Sequence, residues 1–129
     1  MEISLLEQGR IIFQKSLSFS REEVSQYLDA IEDNSIEYLE ETKTPPLAIL
    51  AQVMAEAISE IGLPAGTVHT NQEIEWMKSI NLGTTVDCVC TINSNLERNG
   101  ARFLILEFQG SSNNCLIFYA KTTLVIAAK

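Results

Sequence analysis

The chain has 129 residues, 46% of them apolar, with six glycines and three prolines, a size and composition suited to one packed domain spanning residues 1–129. Seventeen acidic against nine basic residues give a net charge of −8, which repels phosphate backbones and argues against a nucleic-acid partner. No stretch approaches the roughly 20 apolar residues of a membrane span, and Met1-Glu2-Ile3-Ser4-Leu5-Leu6-Glu7 lacks both the basic segment and the apolar run of a leader. A soluble, cytoplasmic protein with no membrane association is the expectation.

Ile11-Ile12-Phe13, with Leu17 and Phe19 beyond it, reads as an edge strand or an extended lead-in. Ser20 followed three residues later by Glu23 is a capping box, so a helix is expected from about Arg21. Val24, Tyr27, Leu28 and Ile31 give that helix one apolar stripe, and Asp33-Asn34-Ser35 is its expected terminator. Pro45-Pro46 opens a second helix, Leu47 to Ile61, of about four turns, ending at Gly62 as its C-terminal cap. Gln52, Glu56, Ser59 and Glu60 fall within one narrow stripe, and apolar residues cover the rest of the circumference. This predicts a helix enclosed on most sides, the main element of the core.

After Gly66 the period changes from helical to alternating. Val68, Thr70, Gln72, Ile74 and Trp76 are expected to face one way, and His69, Asn71, Glu73 and Glu75 the other. Gly83 marks a turn, and Val86, Cys88, Cys90 and Ile92 repeat the alternation. Asn99-Gly100 suits a tight hairpin. Arg102 to Phe108 and Leu116 to Ala127 are two further strands, with a reversal expected over Gly110-Ser111-Ser112-Asn113-Asn114. Helices first and consecutive strands after them predict an α+β fold with an antiparallel sheet and the helices on one face. If the sheet curls around the long helix, the result is a hotdog fold.

Cys88 and Cys90 share one strand face, where adjacent thiols are poorly placed for a disulfide, and Cys115 leaves the count odd. One histidine, His69, is too few to complete a Cys/His metal site. Buried, reduced thiols and no metal or cofactor are expected, in keeping with a reducing compartment.

The Ser20-led helix with Tyr27, the Pro45-Pro46 entry, and Val68-His69-Thr70-Asn71-Gln72-Glu73-Ile74-Glu75-Trp76 followed by Leu82-Gly83-Thr84 together resemble the MaoC-like (R)-specific enoyl hydratase and dehydratase family, in its N-terminal, fatty-acid-synthase-like dehydratase type. The resemblance spans about residues 10 to 126. It implies a hotdog fold, pairing with a second hotdog unit as a homodimer or heterodimer, and thioester substrates on coenzyme A or acyl carrier protein. Active members carry a pattern like Asp-x-Asn-Pro-x-His after the first helix, whose aspartate and histidine hold a water for addition to an enoyl double bond. Here the matching stretch is Asp33-Asn34-Ser35-Ile36-Glu37-Tyr38, so Asp33 takes the aspartate position and Tyr38 stands where the histidine belongs. An ordinary tyrosine titrates near pH 10, about three units above histidine, and is a poor base near neutrality.

The resulting expectation is a subunit with an incomplete dyad that supports a catalytic hotdog partner. Its candidate residues are Asp33, Tyr38 and His69 for catalysis, and Lys78, Arg98 and Arg102 for the phosphates of the carrier. Other readings are a stand-alone hydratase using His69 or Tyr38, a thioesterase using Glu56 or Glu60, and a non-enzymatic acyl-thioester binder.

Overall fold

The computed structural model describes residues 2–30, 43–44 and 46–127. Within them the chain forms a 3-10 turn (Ile3–Leu5), β1 (Ile11–Leu17), α1 (Arg21–Ala30), β2 (Lys43–Thr44), α2 (Pro46–Ile61), β3 (Val68–Trp76), β4 (Ile80–Asn81), β5 (Val86–Arg98), β6 (Ala101–Ser112) and β7 (Cys115–Ala127). The main sheet has five antiparallel strands in the order β1-β5-β6-β7-β3, and β2 pairs with β4 in a separate ribbon. This is the α+β hotdog fold, a long helix laid into a curved antiparallel sheet.

Local chemistry sets the element ends. The capping box forms as expected: the Glu23 amide donates to Ser20 Oγ and the Ser20 amide donates to Glu23 Oε1, both at 3.1 Å. Ile31 and the Asp33-Asn34-Ser35 terminator lie outside the described residues. Pro46 begins α2, where a missing amide costs nothing, and Gly62 ends it at φ +72° with its amide donating to the Ile58 carbonyl at 2.9 Å. Asn99 (φ +54°) and Gly100 (φ +80°) make the β5–β6 hairpin. The β6–β7 reversal is tighter than the composition suggests. Strand pairing continues through Ser112 and Cys115, and only Asn113 and Asn114, at φ +52° and +63°, make the turn.

The helix-facing side of the sheet carries Phe13, Cys88, Cys90, Ile92, Leu104, Leu106, Phe108, Phe118, Ala120 and Leu124, all buried against Ile49, Val53, Ala57 and Ile61 of α2. Curvature comes from bulges. Register shifts fall between Ile11 and Phe13 on β1, Ile92 and Ser94 on β5, His69 and Asn71 on β3, and Leu116 and Phe118 on β7, each adding a residue to its strand. Pairing brings the β5 and β3 bulges to neighbouring rows of the sheet, beside Ile105 and Thr123. Bulges bend a strand and increase its twist, so together they curl the sheet about the helix.

Two expectations need correcting. The long helix is buried on one face rather than enclosed: Ala51, Gln52, Ala55 and Ser59 are exposed, and so is Ile58, at 46%. A single helix about 10 Å wide cannot cover five strands set about 4.8 Å apart. The second correction concerns β3, whose alternation breaks at its bulge. His69 pairs with buried Leu124, whereas Asn71 pairs with Thr123 on the opposite face, so His69 turns to the helix side with Gln72, Ile74 and Trp76.

Candidate functional site

The helix packs chiefly on the β1 and β5 side of the sheet, and its two flanks differ. On the β1 side, Lys15 Nζ meets Glu56 Oε2 at 2.5 Å and Glu60 Oε1 at 3.9 Å. The hydrogen bond to Glu56 raises the Lys15 ammonium above its ordinary value, with the charges of Glu56 and Glu60 adding to it against a smaller opposing effect of desolvation. Glu56 is therefore engaged by a cation rather than free to activate a water.

On the other side, Met54 and, one turn on, Ile58 point toward β7 and β3. The buried Thr122 hydroxyl lies 3.3 Å from Met54 Sδ and donates to Gln72 Oε1 at 2.8 Å, and Gln72 Nε2 donates to the Lys121 carbonyl at 3.1 Å. Gln72 is thus fixed on the sheet. Beside it on the same face, Ile74 is 39% exposed and His69 is exposed, its Nε2 donating to the Asn71 carbonyl at 3.2 Å. Met54, Ile58, Gln72, Ile74 and His69 line an open, mainly apolar shelf along the edge strand β3.

At the far end of β3 the row Cys88, Gly110, Phe118, Trp76 crosses four strands. A Cβ on Gly110 would fall 2.2 Å from the Phe118 ring, so glycine is what lets that ring lie flat across β6. Trp76 stacks on Phe118 with centroids 5.2 Å apart, and its buried indole Nε1 has no hydrogen-bond partner among the described residues.

The three basic residues read as phosphate contacts do not form one cluster. Lys78 follows β3 and lies beside the β6–β7 hairpin, while Arg98 and Arg102 flank the β5–β6 hairpin at the other end of β6. Ten residues of strand, about 33 Å, separate these ends. Arg102 has a structural occupation: its Nη1 donates to Asn95 Oδ1 at 2.9 Å, and Asn95 Nδ2 donates to the Ile3 and Leu6 carbonyls at 2.8 and 2.9 Å, tying the N-terminal turn to the sheet. Periodicity could not reveal this, because the β5 bulge is what turns Asn95 inward. Asp33 and Tyr38 lie outside the described residues.

Cys88 and Cys90 are buried free thiols, pushed up to about 12 by desolvation, and so are inert near neutrality. Cys115 departs from the expectation of burial and is exposed in the β6–β7 hairpin. Among the described residues no group of three or more His, Cys, Asp or Glu side chains could hold a metal ion, and no helix is long and apolar enough to cross a membrane.

No protein-family model matches the sequence, and no curated protein matches it either. Solved structures do match. The chain superposes on the (R)-hydratase from A. caviae involved in PHA biosynthesis with a TM-score of 0.77 at 13% identity, covering 93% of this chain and 96% of that one. It superposes on the C-terminally truncated HadBC (3R-hydroxyacyl-ACP dehydratase) complex from Mycobacterium tuberculosis with a TM-score of 0.71 at 20% identity, covering 98% of both chains. The MaoC-like dehydratase from Rhodospirillum rubrum gives 0.74 at 10% identity, over 100% of this chain and 98% of that one. At these identities the similarity establishes the hotdog fold, in the form seen in MaoC-like hydratases and dehydratases.

Proposed function

We propose that residues 1–129 form one hotdog subunit handling acyl or enoyl thioesters of coenzyme A or acyl carrier protein, and that the subunit supports a catalytic hotdog partner in enoyl-thioester hydration or 3-hydroxyacyl dehydration. The observation that carries this reading is the open shelf between α2 and β3. Its apolar residues suit an acyl chain, and among the described residues β3 is the edge strand of the sheet, so a second hotdog unit can wall the shelf by adding its own edge. Similarity to a chain of the HadBC complex, itself a two-component dehydratase by description, supports the partnership.

In this reading Asp33 retains the family's aspartate position while Tyr38 cannot serve as the neutral-pH base, so the partner supplies the water-activating pair. A cytoplasmic location and the absence of a resident cofactor go with it. The test is enoyl-CoA hydration by the purified chain alone and after coexpression with a hotdog protein that carries the aspartate-histidine pattern. Activity is expected only in the second case; robust turnover by the chain alone, abolished by Asp33→Asn, would overturn the proposal.

One observation favours a second reading, a stand-alone hydratase. The β3 bulge turns His69 onto the shelf face, where it could meet a bound thioester. His69→Ala and Tyr38→Phe, made separately, decide it, since loss of turnover is required from at least one. The thioesterase reading gains no support, because Lys15 already engages Glu56.

A further inference from the structure

We infer that the face of the sheet turned away from α2 is an interface with a second copy of this chain, packed back to back about a two-fold axis that runs along the strands between β6 and β7. The inference goes beyond the acyl-thioester reading and does not rest on it, since the shelf opens on the opposite face of the sheet.

Strand pairing sets four apolar side chains in one row: Leu96 on β5 opposite Phe103 on β6, Phe103 opposite Val125 on β7, and Val125 opposite Val68 on β3. Leu104 and Leu124, next to Phe103 and Val125 in sequence, are buried on the helix side, which puts the row on the other face. Leu96 is 57% exposed, Val68 55% and Phe103 38%, and Val125 is partly exposed. An unbroken row of exposed apolar side chains across four strands is the kind of surface that association covers.

Symmetry and charge identify the occupant. An axis between β6 and β7 exchanges β6 with β7 and β5 with β3, so Phe103 faces Val125 of the second copy and Leu96 faces its Val68. Two outward rows further along, Glu107 and Lys121 are cross-strand neighbours. The same axis sets Glu107 over Lys121 of the second copy, and Lys121 over its Glu107. The four charges then form a two-by-two checkerboard in which every nearest neighbour has the opposite sign. Glu73 and Glu75 fall over Thr91 and Val89 of the second copy, so neither acid is set against an acid. The sheet curls about α2, so this face is convex and meets its copy through the middle strands, where the axis lies. Four strands about 4.8 Å apart and five outward rows about 6.8 Å apart offer at most roughly 1,300 Å² over the two copies, at the low end for a specific interface. The dimer is therefore a dissociable one.

Sedimentation velocity on the full chain at rising concentration, with a charge swap split between two variants, tests this. Glu107→Lys sets ammonium against ammonium at both contacts, and Lys121→Glu sets carboxylate against carboxylate. Each variant alone is expected to self-associate through this face at least about tenfold more weakly than wild type and to sediment at half its mass. Mixed in equal amounts, the two should return to the wild-type mass, because both contacts become complementary again. A purely intrachain role for these residues would not produce that recovery. Phe103→Ser should also halve the mass, with its urea midpoint in dilute solution unchanged, and it decides the matter alone if either charge variant fails to fold. Variants that keep the wild-type mass, or a mixture that stays at the mass of its folded components, overturn the inference. So does a wild type that remains at the variants' mass and covers this row only when a different protein is added, which gives the face to that partner. Enoyl-CoA hydration by the coexpressed pair should be the same with wild type and Phe103→Ser, so this inference and the acyl-thioester reading can fail separately.

Discussion

The two flanks of α2 face the same sheet and end differently. Toward β1, the flank is closed by the chain itself, with Phe13, Cys88 and Cys90 beneath it and Lys15 reaching up to Glu56 and Glu60. Toward β3, Met54 and Ile58 look across an uncovered strip of sheet to Gln72, Ile74 and His69. A helix about 10 Å wide laid on a sheet whose outer strands are about 19 Å apart must leave one side bare. Its bias toward β1 decides which side that is. The bare side is the candidate site, and Ile58 and Ile74 stand exposed along it.

That contrast can be broken most severely from the closed side. Phe108→Ala empties a fully buried position beside the Phe13 ring and should cost about 3–5 kcal/mol in urea unfolding. A cost near 1 kcal/mol would mean that the closed side is loosely packed. The next effect is one of pH. Folded Cys88 and Cys90 hold their protons to about 12 against an ordinary value of 9.0, so the folded state binds more protons than the unfolded one between those limits. Stability is thus full below about pH 9 and lost as the pH rises toward 12; Tm should fall by roughly 5 °C or more by pH 10.5. Cys90→Ala should lessen the slope, whatever it does to Tm at neutrality.

On the open side the expected pattern reverses. The double variant Ile58→Ser with Ile74→Ser should change unfolding free energy in dilute solution by only about 0.5 kcal/mol, as for surface sites. It should nevertheless weaken self-association or partner binding at least tenfold in sedimentation velocity, because both side chains would lie inside the completed pocket. Equal losses in both measurements would mean that the shelf is ordinary core. The smallest effect belongs to Glu56→Gln, which removes an exposed ion pair and should move Tm by no more than a degree or two. It should also leave any thioester turnover intact.

Much of the fold was legible because periodicity and end signals agree: the Ser20 and Glu23 cap, the Pro46 start, the Gly62 stop and the Asn99-Gly100 turn each act through their immediate neighbours. What could not be read depends on register. No local signal announces the extra residues at the bulges, yet they curl the sheet, turn His69 toward the helix side and send Asn95 to the N-terminal turn. The apolar circumference of α2 was legible as composition. Which part of it this chain buries was not, because that depends on strand spacing and on where Lys15 sits. The basic residues failed as a group for a related reason: strand residues far apart in register share a sheet without sharing a neighbourhood.

The bulge in β3 makes the orientation of His69 a matter of pairing register rather than of residue identity. Deleting Thr70 would close the bulge and leave His69 opposite Leu124, whereas pairing Thr70 with Leu124 in strict alternation would carry Val68 and His69 to the opposite faces of the sheet. A one-residue slip in pairing at that point would thus switch the strand between presenting an imidazole and presenting a valine to whatever occupies the shelf.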